Sequence, residues 1–173
     1  EDDHNNMTLY VDDLQYYNDT TPAAKAERIL DMKRLENEYK IKIGETNAAE
    51  EFILGTNITR INDHMSHLCA RTYIMAKAKI YCEKPLEEYP ASWSHLPVDP
   101  KSFLESYEDA LQRRECDKAL IESYGSLVGA LQYAVRRRPD ICYAVNITAR
   151  CLTFPTQDMY DHALRIMVYL ART

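Results

Sequence analysis

Hydrophobic positions recur at two periods along this chain. From Ala23 to Tyr39 the residues Ala26, Ile29, Leu30, Met32, Leu35 and Tyr39 are spaced for one helical face, with charges between them. The spacing predicts an amphipathic helix. Thr20-Thr21-Pro22 ahead of it offers a capping hydroxyl and a proline suited to the first helical position. Asp117 to Arg136 predicts a second helix, with Leu120, Ile121, Tyr124, Leu127, Val128, Leu131 and Val135 on one side. Helices are also expected over Arg71–Glu83, Phe103–Arg113, Pro139–Leu152 and Met159–Leu170, with Pro155 breaking the chain before the last.

The other period is two. Leu9 and Val11, then Leu14, Tyr16 and Tyr17, flank Asp12-Asp13. This reads as a β-hairpin with the Asp pair at its tip. Ile41 and Ile43 alternate with lysines and read as a short strand ended by Gly44. Phe52 to Ile61 reads as one strand with Gly55 inside it; Asn62-Asp63-His64 turns and Met65–Cys69 pairs back. A glycine within a strand marks a bulge or a close backbone approach by a ligand. Residues 84–100 hold four of the seven prolines. That stretch is expected to be an extended connection and the boundary between subdomains.

Composition narrows the classes. The chain is 46% hydrophobic, enough for a core, and its 4 glycines speak against a loop-dominated enzyme. No apolar run approaches the roughly 20 residues that span a bilayer, and residues 1–6 lack the basic start of a signal peptide. The chain does not begin with Met and is read as a truncated frame of an intracellular protein. Its five cysteines are odd in number and none are in CxxC spacing, which reads as reduced thiols. The Asn18, Asn57 and Asn146 triplets match the short glycosylation pattern and carry little weight. Net charge is −6, and residues 1–20 carry six acids and no Lys or Arg. The rest balances at 21 acids and 21 bases, unlike an independent nucleic-acid clamp. Locally, Arg136-Arg137-Arg138 and the Lys77, Lys79, Lys84 group have the charge to meet phosphates, while the arginines equally suit a helix C-terminus.

Two adjacent carboxylates in an apolar, strand-prone run have two readings. One is an ordinary surface turn. The other is a divalent-metal site, since Mg²⁺ takes oxygen ligands from one or two carboxylates plus substrate phosphates, and paired ions clamp the oxygens of a phosphoryl displacement. Elsewhere, His64, His67 and Cys69 lack a fourth ligand for zinc. Cys142 and Cys151 fall on apolar helical faces as core residues, and Trp93 reads as a packing anchor.

The residues around the Asp pair favour the metal reading. Tyr10-Val11-Asp12-Asp13 resembles the catalytic motif of reverse transcriptases. Four further blocks follow in order. Phe52-Ile53-Leu54-Gly55-Thr56-Asn57-Ile58 is similar to the FLG-x-x-I strand of copia-type retrotransposon polymerases. Tyr124 to Tyr133 is similar to their YRSLVGSLLY helix. Arg138 to Val145 is similar to TRPDIAYAV, and His162 to Leu170 to H-x-x-A-x-RILRYL. Together they cover nearly the whole chain.

The resemblance implies an α+β fold: a partial reverse-transcriptase palm of two β-hairpins plus a helix over residues 1–70, the start of the thumb and a Pro-rich connection over 71–100, and a helical thumb/connection segment over 101–173. It implies that Asp12 and Asp13 are catalytic metal ligands for Mg²⁺, with Asp12 the main one. Tyr10 and Val11 would lie against the primer end and incoming nucleotide, and Leu54 and Gly55 would form a primer grip. The implied partners are an RNA/DNA template-primer, a deoxynucleotide, and the fingers, upstream palm and ribonuclease H portions of a polyprotein. The implied setting is a cytoplasmic particle or the nucleus. The chain departs from the family's pattern in several places. The third catalytic Asp and the fingers are missing upstream. Cys69-Ala70 replaces Ser-Gln before the thumb helix, and Gly125 stands where a basic residue is usual. The resulting expectation is a polymerase fragment inactive alone. The alternative is a non-catalytic retrotransposon relic whose helices 117–172 pack on a partner.

Overall fold

The structure is a computed structural model of the 173-residue chain. It describes residues 6–10, 13–17, 21–39, 50–53, 55–62, 65–113 and 117–173. The chain divides into two compact units, Glu1–Leu54 and Gly55–Thr173.

In the first unit β1 (Asn6–Tyr10) and β2 (Asp13–Tyr17) form an antiparallel hairpin, in register from Asn6 opposite Tyr17 to Tyr10 opposite Asp13. Asp13 is therefore the first residue of a strand rather than part of the tip. Tyr10 favours extended backbone and carries the ladder one position past Leu9. Val11 and Asp12 lie outside the described residues. Helix α1 (Pro22–Tyr39) starts where its proline predicts, and the Thr21 Oγ1 accepts the Ala24 amide at 3.2 Å. Its expected apolar face is not buried. Ala24 is its one buried residue, and Ile29 and Leu30 are 52% and 61% exposed. A stripe of this width needs a second layer, and the described residues of this unit do not supply one. The expected strand at Ile41–Ile43 lies outside the described residues. Strand β3 (Glu50–Ile53) ends the unit.

The run expected as one strand is two. Gly55 has φ +70° and separates β3 from β4 (Thr56–Asn62), because an extended strand cannot pass through the left-handed region. In the second unit β4 pairs antiparallel with β5 (Met65–Cys69), with an irregularity between Arg60 and Asn62. Helix α2 (Arg71–Tyr81) follows at once. No side chain of its own caps it. Asn57 on β4 does so instead: its Oδ1 accepts the Thr72 amide at 3.1 Å and its Nδ2 donates to the Thr72 hydroxyl at 2.9 Å.

Residues 84–100 lie within the second unit, and the stretch is more ordered than an extended connection. Pro85 and Pro90 precede two short 3₁₀ turns, Leu86–Glu88 and Ala91–Ser94, and Trp93 stacks on Tyr89 at 5.5 Å. One side chain ties several groups of this segment together. Arg172 donates to the carbonyls of Leu86, Tyr89 (2.8 Å) and Pro90 (2.8 Å) and to the Ser94 hydroxyl (3.1 Å). A planar five-donor guanidinium is the one side chain with enough donors for this.

Four helices complete the chain: α3 (Pro100–Arg113), α4 (Lys118–Val135), α5 (Cys142–Ala149) and α6 (Gln157–Arg172). Asp117 caps α4 through the Ala119 amide at 2.9 Å, and Thr156 caps α6 through the Met159 amide at 3.3 Å. The expected helix from Pro139 to Leu152 is instead a 3₁₀ turn at Pro139–Ile141, then α5, then tight turns. The Thr148 hydroxyl donates to the Val145 carbonyl at 2.9 Å, and the amides of Arg150 and Cys151 reach back only three residues. Such side-chain bonding competes with a regular helical ladder.

The core lies among α2, α4, α5 and α6. Tyr124, Leu127, Val128 and Leu131 of α4 are fully buried, as are Ile141, Cys151, Met159, Ala163 and Ile166. Burial pushes the Cys151 thiol up to about 11, against the opposing charge of Arg150, so this is a packing group and not a nucleophile. Cys142 is only half-buried, and Cys116 lies outside the described residues. Among the described residues, no helix is long and apolar enough to cross a membrane.

The deepest polar group in this core is the Tyr124 phenol, whose hydroxyl donates to the Thr148 carbonyl at 2.7 Å. Tyr124→Phe removes that bond and leaves the Thr148 carbonyl with the Cys151 amide at 3.1 Å. The expected cost is about 1 kcal/mol, read as a lower urea midpoint with an unchanged slope.

Candidate functional site

Of the residues that sequence reasoning singled out, the hairpin group is described in part. Tyr10 and Asp13 face each other across the end of the β1–β2 ladder. Asp12, Val11 and Leu54 lie outside the described residues. For zinc, His64 also lies outside them; on β5, His67 is exposed and Cys69 half-buried.

Gly55 begins the second unit, and its surroundings are explicit. A Cβ built on it would meet the Tyr133 ring, 2.8 Å from Cε1 and 2.9 Å from the hydroxyl oxygen. The close approach at this glycine is made by a side chain of α4, where the sequence had suggested a ligand. Next to it, the Arg137 Nε donates to the Thr56 hydroxyl at 3.1 Å, and Asn57 caps α2. Three consecutive residues therefore join β4 to α4, to the turn after α4, and to α2. Tyr133 also packs on Tyr73 with centroids 4.7 Å apart, and the Tyr73 hydroxyl donates to the Ala130 carbonyl at 3.1 Å. Burial, then the neighbouring Tyr133 and Tyr81, push the Tyr73 phenol up to about 12, so it stays protonated at neutral pH. Lys77 lies over the Tyr73 ring and Arg136 over the Tyr133 ring, each at 5.7 Å.

The arginine triplet does not act as a unit. Arg138 grips Asp140 through two parallel bonds of 2.9 and 2.8 Å and donates to the Thr173 hydroxyl at 2.7 Å. The Tyr169 hydroxyl donates to the same carboxylate at 3.1 Å, and Arg138 stacks over its ring. The Arg138 bond, ahead of its charge and the Tyr169 bond, holds the Asp140 carboxyl below its ordinary range. Sequence reasoning treated these arginines as phosphate or helix-end charges and missed the fork. The Arg-Pro-Asp spacing was its only signal: a rigid proline between opposite charges brings a fork and a carboxylate into bidentate reach.

No protein-family model and no solved structure matches this chain. Two curated proteins match nearly all of it. It is 28% identical over 170 residues, 96% of the chain, to the retrovirus-related Pol polyprotein from transposon RE2 of Arabidopsis thaliana. It is 29% identical over 171 residues, again 96%, to that from transposon RE1 of the same plant. The chain is thus similar over nearly its whole length to retrovirus-related Pol polyproteins. It spans 10% of the length of each of those two Pol polyproteins. An uncharacterized mitochondrial protein of Arabidopsis thaliana is 44% identical over 50 residues, covering 29% of this chain and 21% of that protein.

Gly55→Ala tests the first of these joints. It places a Cβ against Tyr133 on a backbone that L-residues avoid, and should destabilise the chain by about 1–3 kcal/mol. In a Tyr133→Ala background the contact is gone and only the backbone strain remains, so the measured cost should shrink. Equal costs in both backgrounds, by urea unfolding, would show that the ring contact does not matter.

Proposed function

We propose that this chain is the part of a copia-type RNA-directed DNA polymerase that runs from the catalytic hairpin into the thumb and connection. The observation that supports this most is the β1–β2 hairpin, in register up to Asp13, within a chain similar to Pol polyproteins over 96% of its length. In this reading residues 1–70 belong to the palm, α2 opens the thumb, and residues 101–173 continue it.

The donor chemistry fits a hard cation. Asp12 and Asp13 would hold Mg²⁺ with oxygen ligands, Asp12 as the main one, and a third carboxylate would come from another part of the polyprotein. When bound, Mg²⁺ neutralises charge on the attacking and leaving oxygens of an in-line displacement. Tyr10 and Val11 would lie against the primer end and the incoming deoxynucleotide, and Leu54-Gly55 would sit at the primer strand. The reaction is attack of the primer 3′-hydroxyl on the α-phosphate of a deoxynucleotide, with the template strand held by the assembled polymerase. Fingers, upstream palm and ribonuclease H portions are the partners this needs, in a cytoplasmic particle or the nucleus.

A second reading has its own support. Residues 55–173 form a compact unit with a continuous core. That suits a retained helical interaction module. Primer extension separates the two. In a polyprotein carrying this segment, Asp12→Asn should lower Mg²⁺-dependent DNA synthesis by roughly 10²–10³-fold, the scale of losing one preorganised electrostatic contact. The isolated chain should extend no primer. Undiminished synthesis by the Asp12→Asn polyprotein would remove the catalytic assignment, and extension by the isolated chain would contradict the need for partners.

A further inference from the structure

Among the described residues of the second unit, one histidine is buried, and the proposed chemistry does not use it. His162 on α6 is 8% exposed. It sits where α3 lies on α6. Its Nε2 is 3.3 Å from the Ser106 hydroxyl of α3, and the Phe103 ring meets it edge-on with centroids 5.4 Å apart. The Ser106 hydroxyl already donates to the Ser102 carbonyl at 3.1 Å, so it accepts from the imidazole N–H. The neutral ring is thereby satisfied.

Helix α3 has little else to hold it. Phe103 and Ala110 are its only buried residues, and Tyr107, stacked on Phe103, is half-buried. All lie on the face that carries Ser106, and α6 is the main element it packs on. We propose that His162 is the pin of a pH-sensitive latch that holds α3 on α6, released when the imidazole is protonated.

The groups around the ring set the direction. Burial opposes the proton most, and Arg165 on α6 opposes it next. Asp158 and Asp161 on α6 and the Ser102 carbonyl on α3 favour it more weakly, and the value stays below the ordinary 6.5. The sign follows from linkage. The released state binds a proton near pH 6.5 and the latched state only below that. Attachment is therefore full above 6.5 and weakens as pH falls through that value. Release uncovers the strip of Phe103, Tyr107 and Ala110 while the packing among α2, α4 and α5 stays in place.

Hydrogen exchange on the full chain tests this, with rates corrected for intrinsic amide chemistry. Amides of α3 should exchange ahead of those of α4 at both pH 7.5 and pH 5.5. Their opening should rise by up to about tenfold on acidification, the limit set by a released-state pKa near 6.5. His162→Gln should abolish the rise, and Ser106→Ala should keep it. Two results would overturn the latch: α3 and α4 exchanging together at both pH values, or an acid response that survives His162→Gln. If His162→Gln does not fold, NMR titration of the imidazole in the unmodified chain decides, since a midpoint at or above 6.5 leaves nothing to drive release.

Discussion

The second unit depends on burying one face of α4 completely. Tyr124, Leu127, Val128 and Leu131 have no exposure, and each needs neighbours on several sides. Those neighbours come from α2, α5 and α6. Burying a tyrosine this deeply is tolerable only because its hydroxyl reaches the Thr148 carbonyl, in the last turn of α5. That one bond fixes how α5 lies along α4. The Thr148 hydroxyl turns to its own backbone at the same point, and the chain leaves α5 in tight turns toward Pro155 and α6.

Around this core, single polar side chains do the work of connection. Asn57 caps a helix it does not belong to, Arg137 holds Thr56, Arg138 holds Asp140 and Thr173, and Arg172 ties the Pro-rich segment together. Several of these residues fall in the blocks that resemble Pol proteins. Within residues 55–173, then, the resemblance is carried substantially by residues with structural duties. The carboxylates of the proposed chemistry belong to the first unit, and the α1 face there remains uncovered among the described residues.

The helices were legible in the sequence because their apolar spacing and caps agree. Pro22, Asp117 and Met159 mark starts that the structure keeps within a residue or two. The β1–β2 and β4–β5 hairpins were legible from alternation. What sequence reasoning missed were long-range side-chain bonds. The order within residues 84–100 depends on an arginine 78 to 86 residues away, and no local pattern reports that. Gly55 was flagged as a close approach, but its partner, Tyr133, lies far along the chain. Of the candidate site, Tyr10 opposite Asp13 follows from strand pairing. The roles of Asp12 and Asp13 come from family resemblance, since spacing alone equally suits a turn.

The most direct test of the account is calorimetry on residues 55–173 expressed alone. A core organised on α4, with the hairpin chemistry confined to residues 1–54, predicts one cooperative transition. Its midpoint should lie within a few degrees of that in the full chain, and Tyr124→Phe should lower it. A broad, non-cooperative melt of 55–173 would contradict the account, because it would make the first unit part of the scaffold.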